Sequence, residues 1–197
     1  MSSKLRRGFK AEAERLASST RQQLRLSARD RLDGLELARH LRVPVLSLLD
    51  LRNDVTHPRS IDLLLAPRAN FSAVTVCADL RRLIVFNPAH PPGRRSNSLV
   101  HELSHILLGH DPCPAFDEGA CRHWDEQAES EADWLAGVLL VPRDGALWWI
   151  RSSDDLADGA THFGVSEVLF RWRVNQTGVV RQVEAARRRG HPLSVGS

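Results

Sequence analysis

Apolar residues recur at helical spacing through the first forty positions. Phe9, Ala13, Leu16, Ala17 and Leu24, with charged residues between them, predict an amphipathic helix over residues 8–26. Leu35, Leu37, Ala38 and Leu41 predict a second helix, with Asp33 as its N-cap and Val43-Pro44 as its limit, because the residue before a proline is driven out of helical geometry. Residues 45–51 read as a short strand or a turn of helix, and 53–60 as loop. The pattern then changes. Short β-rich runs at 61–65, 71–77 and 83–86, split by Pro67-Arg68-Ala69-Asn70 and Asp79-Leu80-Arg81-Arg82, predict an antiparallel meander of three strands. A breaker-rich stretch at 87–95 precedes a helix that Ser96 or Ser98 can cap and Gly109 can end. After a loop at 110–121 comes a helix over 123–141, stopped by Pro142, and then shorter helical pieces at 144–151, 154–162, 166–174 and 179–189. Helices, then a small sheet, then helices make an α+β fold.

Composition narrows the class without naming a function. A chain of 197 residues with 42% hydrophobic content suits one domain with a small helical appendage. No apolar run approaches the length of a membrane span, and the basic N-terminal residues are not followed by an apolar signal region, so the expectation is a cytoplasmic protein. Three cysteines at irregular spacing give no disulfide framework. The net charge of +3 comes from 27 basic residues of which only Lys4 and Lys10 are lysine. They concentrate near the two ends, where solvated helix faces explain them more simply than a nucleic-acid partner does.

The chemistry lies in the helix after the breaker-rich stretch. His101-Glu102-Leu103-Ser104-His105 reads H-E-x-x-H, and on a helix the two histidines at i and i+4 stack on one face, where two neutral imidazoles can bind one zinc ion. Glu102 is placed to act as general base on a water. Leu99, Val100, Leu103, Ile106, Leu107 and Leu108 make this a mostly buried helix, in which unpaired His and Glu are costly, and that counts against two idle surface histidines. A catalytic zinc needs a third protein ligand. The extended motif with a third histidine six positions past the second is out of register here, because Gly109 and His110 fall four and five past His105. The other source is a glutamate on the next helix. Glu129 shares a face with Ala132, Asp133, Ala136 and Leu140, whereas Glu131 lies about 200° round from it. Small alanines allow close helix approach and favour Glu129, with Glu131 as the alternative. Asp133, one turn on, can then hold a ligand histidine in one tautomer.

Two segments carry a resemblance. The run from Val100 to His110, followed by Glu129-Ser130-Glu131-Ala132-Asp133-Trp134-Leu135-Ala136-Gly137-Val138-Leu139-Leu140-Val141-Pro142, resembles the ImmA/IrrE family of zinc metallopeptidases, whose second segment reads roughly E-x-x-A-N/D-x-F-A-x-x-L-L-x-P. His162-Phe163-Gly164-Val165-Ser166 is similar to that family's F-G-V-S element. The chain departs from the pattern at Leu135, where Phe is usual, and at Ser104, where Gly is common; neither position is a ligand. The resemblance implies His101, His105 and Glu129 as zinc ligands and Glu102 as base. It also implies a gluzincin-like cytoplasmic endopeptidase of bacteria or phage whose substrate is an intracellular protein such as a helix-turn-helix transcriptional repressor. The expected fold is then α+β, a small antiparallel three-stranded sheet packed on a zincin-like helical core with N- and C-terminal helices. Residues 1–55 form the helical extension and 56–197 the metallopeptidase domain with its C-terminal helical part.

Other features compete for attention. Residues 35–49 and 156–172 resemble helix-turn-helix halves, and with the terminal arginines they raise an alternative: a DNA-binding regulator, or a metal-sensing module with a non-catalytic zinc site. His110, Cys113, Cys121 and His123 fit no standard zinc-finger spacing and read as loop residues. The chain has no tyrosine, so His162 and His123 are the candidates for stabilising an oxyanion. The tryptophans at 134, 148, 149 and 172 read as core or interface aromatics.

Overall fold

The structure is a computed structural model that describes residues 5–52, 58–66, 71–78, 81–110, 125–153 and 155–189. Its elements run α1 (Phe9–Gln23), α2 (Gly34–His40), β1 (Val45–Ser47), α3 (Leu48–Arg52), α4 (Pro58–Leu65), β2 (Ala73–Ala78), β3 (Arg81–Phe86), α5 (Pro92–Leu107), α6 (Glu126–Leu140), α7 (Arg143–Ser152), α8 (Leu156–Phe163), α9 (Glu167–Thr177) and α10 (Val179–Arg188). This is the α+β class that the sequence predicts. The chain divides into two compact units, one made of residues 1–6 and 33–136 and the other of 7–32 and 137–197, with the boundary inside α6 after Ala136.

The first unit holds the sheet. Its order is β1-β3-β2, with β2 antiparallel to β3 and β1 parallel to it, Val45 opposite Ile84 and Ser47 opposite Phe86. Two expectations are corrected here. Residues 61–65 are not a strand but the end of α4, and the sheet is mixed rather than wholly antiparallel, its third strand coming from Val45–Ser47. An unbroken apolar run such as Leu63-Leu64-Leu65 carries no period that tells helix from strand. The α5 helix covers one face of the sheet, burying Leu99, Val100 and Leu103 beside Ile84 and Val85. On its other side α2 approaches closely at Gly34, where an added Cβ would stand 3.1 Å from Leu99 Cδ2 and press on Val100. Asp33 caps α2 as predicted, accepting from the amides of Leu35 at 2.7 Å and Glu36 at 3.2 Å. Neither serine caps α5. That helix starts earlier, on Pro91, with Pro92 in its first turn, where the missing N–H of proline costs nothing.

The second unit is helical. Phe9, Ala13 and Ala17 of α1, Val138 to Val141 at the end of α6, and Phe163, Phe170, Val174 and Val183 further on are all buried. Phe163 stacks on Phe170 with centroids 5.7 Å apart, across the tight turn at Gly164, whose φ of +67° only glycine adopts without strain. Two buried arginines close the C-terminal end of α6. Arg21 donates to the Leu139 carbonyl at 2.6 Å and also to the carbonyls of Ser27 and Asp30, and Arg173 donates to the Val141 carbonyl at 3.1 Å and to Glu14 at 3.0 Å. Orphan carbonyls at a helix end accept readily from cations, which the helix dipole also favours.

Candidate metal centre

The α5 helix presents His101 and His105 on one face, one turn apart, with Nε2 atoms 3.1 Å from each other. Glu129, in the first turn of α6, brings Oε2 to 3.3 Å from His101 Nε2 and Oε1 to 3.6 Å from His105 Nε2. One ligand atom from each of the three lies within 4.8 Å of the others, and among the described residues this is the group of His, Cys, Asp and Glu side chains that could hold a metal ion. Two imidazole nitrogens and a carboxylate match the donor set of a catalytic zinc site. The first turn of α6 is organised by Asp125, whose Oδ1 accepts from the amides of Gln127 at 2.9 Å and Ala128 at 3.1 Å.

The electrostatics of the cluster are those of a cation site. For His101, burial opposes protonation, but the hydrogen bonds to Asp133 and Glu129 and the charges of Asp133 and Glu102 outweigh it and push its pKa up to about 10. Hydrogen bonds from His101 and His105 pull Glu129 down to about 2 against the opposing effect of burial. Each shift is the other's counterpart: positive charge is welcome at this point, whether it comes as a proton or as a metal ion.

The remaining predicted residues separate. Asp133 Oδ1 is 2.8 Å from His101 Nδ1 and fixes a proton on that nitrogen. Glu102 accepts from the Thr75 hydroxyl of β2 at 2.6 Å. Glu131 is turned away from the two histidines' Nε2 atoms. It is 4% exposed, accepts from Arg6 Nε at 3.2 Å and from Gln127 at 3.3 Å, and stands 3.9 Å from His110 Nε2. His162 belongs to the second unit, where it lies against Trp148 and Trp149 and its Nε2 donates to the Arg29 carbonyl at 2.8 Å. His123, Cys113 and Cys121 lie outside the described residues.

Sequence reasoning missed two neighbours of the site. Thr75 comes from a strand 27 positions away, and alternation on β2 tells only that it shares a face with Ala73. His110 carried a clearer signal, a histidine directly after a helix-ending glycine. Gly109 has φ +68°, and the chain returns so that the His110 amide donates to the His105 carbonyl at 3.0 Å and its Nδ1 comes 2.9 Å from His105 Nδ1. Burial, then the neighbouring His105, lowers the pKa of His110, which favours its neutral ring.

The model of one protein family, described as the IrrE N-terminal-like domain (Peptidase_M78), matches residues 58–175, more than half of the chain and a span that contains every residue of the centre except Arg6. No curated protein matches the chain.

Proposed function

The chain belongs to the Peptidase_M78 family of IrrE N-terminal-like domains, and from that premise we propose that it is a cytoplasmic, zinc-dependent endopeptidase. Its substrate is a specific intracellular protein, of which a helix-turn-helix transcriptional repressor is the leading candidate. The observation that carries the reading is the convergence of His101 Nε2, His105 Nε2 and the Glu129 carboxylate, with the charge of Glu102 acting on His101. His101, His105 and Glu129 are the ligands. When bound, zinc supplies Lewis acidity, polarising a peptide carbonyl and easing the deprotonation of a water. Glu102 takes the proton of the attacking water and delivers it to the leaving amide nitrogen, so that C–N cleavage ends in a neutral amine rather than an amide anion. The Thr75 hydroxyl occupies Oε2 of Glu102 and holds the carboxylate in one orientation, which leaves Oε1 to carry the proton. Asp133 keeps the His101 proton on Nδ1.

The test is to co-express candidate repressors with wild type and with Glu102→Gln, and to measure the zinc content of both enzymes. Expected are cleavage by wild type, an intact repressor with Glu102→Gln, and one zinc per chain in each. Equal cleavage by both would remove Glu102 as base; a wild type that takes up no metal would sink the reading as a whole.

A further inference from the structure

We infer that His110 is a positioning residue for the metal centre, holding the outer nitrogen of His105 and so deciding which nitrogen that ligand turns toward the ion. The inference rests on the metal reading above. A histidine that binds a metal through Nε2 must carry its proton on Nδ1, and a half-buried Nδ1–H needs an acceptor. His101 has Asp133 for this purpose. Among the described residues no carboxylate serves His105 in this way; the atom 2.9 Å from its Nδ1 is the Nδ1 of His110.

Two imidazole nitrogens at that distance share one hydrogen, so one of them must be bare. With the proton on His105, His110 accepts through Nδ1 and carries its own hydrogen on Nε2. The carboxylate of Glu131 lies 3.9 Å from that nitrogen, beyond hydrogen-bond length but close enough for its charge to favour a hydrogen there. Glu131 is itself fixed by Arg6 and Gln127. His105 and His110 are therefore joined by one hydrogen bond, and the charge of Glu131, itself held by Arg6, favours the sense in which His105 donates. Glu131, which by sequence competed with Glu129 for the ion, is the source of that charge. Gly109 makes the arrangement possible: its left-handed backbone brings the residue five places after His105 back onto the ring of His105.

The experiment compares wild type with His110→Leu, which keeps bulk but can neither donate nor accept, and with His110→Asn, whose side-chain oxygen can take the place of Nδ1 as acceptor without an imidazole that could bind metal. Zinc affinity is measured by competition with a chromophoric chelator, and the ligand field is followed by the visible bands of the Co2+-substituted protein. The melting temperature of the metal-free protein serves as a control for folding. His110→Leu is expected to weaken zinc binding about 10- to 100-fold and to shift the cobalt bands, with the metal-free melting temperature little changed. His110→Asn is expected to recover most of the affinity and the wild-type bands. Should His110→Leu fail to fold, His110→Ala carries the same expectation. Wild-type affinity and bands in the folded His110→Leu or His110→Ala protein would overturn the inference, as would a folded His110→Asn no better than His110→Leu. Wild type binding no zinc would overturn the metal reading, and this inference with it.

Discussion

In the metal-free protein the proton on His101 occupies the place a cation would take, 3.3 Å from Glu129 Oε2. Metal and proton therefore compete, and zinc affinity is expected to rise with pH across the neutral range, with proton release on binding; titration calorimetry in buffers of different ionisation enthalpy measures both. Without metal the same groups set a pH window for stability. The His101 pKa is raised from 6.5 to about 10, so its contribution is complete below pH 6.5 and is lost as pH climbs through 10. Glu129 is lowered from 4.5 to about 2, so its contribution is complete above pH 4.5 and is lost as pH falls through 2. Melting temperatures in a chelator are expected to gain most from this pair between pH 4.5 and 6.5, and a profile that rises steadily from pH 6.5 to 9 would contradict the arrangement. Glu129→Ala should lose the metal, and retained zinc in that variant would return the ligand role to Glu131. Thr75→Val is expected to lower kcat about tenfold, the worth of one hydrogen bond to a charged group, with zinc content unchanged; an unaltered kcat would show that the hydroxyl does not orient Glu102.

The C-terminal end of α6 is held by buried arginines. Arg21 satisfies three backbone carbonyls, including that of Leu139 in α6, so Arg21→Ala is expected to cost about 2–4 kcal/mol, read from urea midpoints, because buried acceptors are left without a partner. Gly145→Ala should also destabilise, by about 1–3 kcal/mol, since a Cβ there would overlap the Ala28 carbonyl oxygen and press on Phe163. These couplings explain what could be read in advance. The element types of α1, α2, α5 and α6 follow from periodicity, and the stacking of His101 and His105 from their i, i+4 spacing on α5, because both signals are local; Glu129 was legible only through the small-residue face it shares on α6 and through the family resemblance. The parallel pairing of Val45–Ser47 with β3 is not local, since a three-residue strand is specified by its neighbour rather than by its own sequence. The same holds for Thr75 against Glu102. The helical state of Ile61 to Leu65 was hidden because five residues with four apolar side chains fit either period.

For the molecule as a whole, the helix-turn-helix reading loses ground in the first of the two places it was raised, while residues 156–172 do form two helices, α8 and α9, joined by the turn at Gly164. Residues 35–49 pass from α2 into strand β1, and the basic residues of α9 are engaged, Arg171 with Glu167 and Arg173 buried against Glu14. Duplex DNA is expected to show no salt-sensitive mobility shift at physiological ionic strength, and a clear one would revive that reading. No helix among the described residues is long and apolar enough to cross a membrane. The sheet carries one more consequence. Among the described residues its order leaves β2 at an edge, with a row of backbone amides and carbonyls facing away from β3 and no charged residue from Ala73 to Ala78. Such an edge can pair with an extended chain, including β2 of a second molecule. A lysine at Val74 is expected to raise the concentration at which the protein begins to self-associate in light scattering, because a charge on an edge strand discourages pairing between copies.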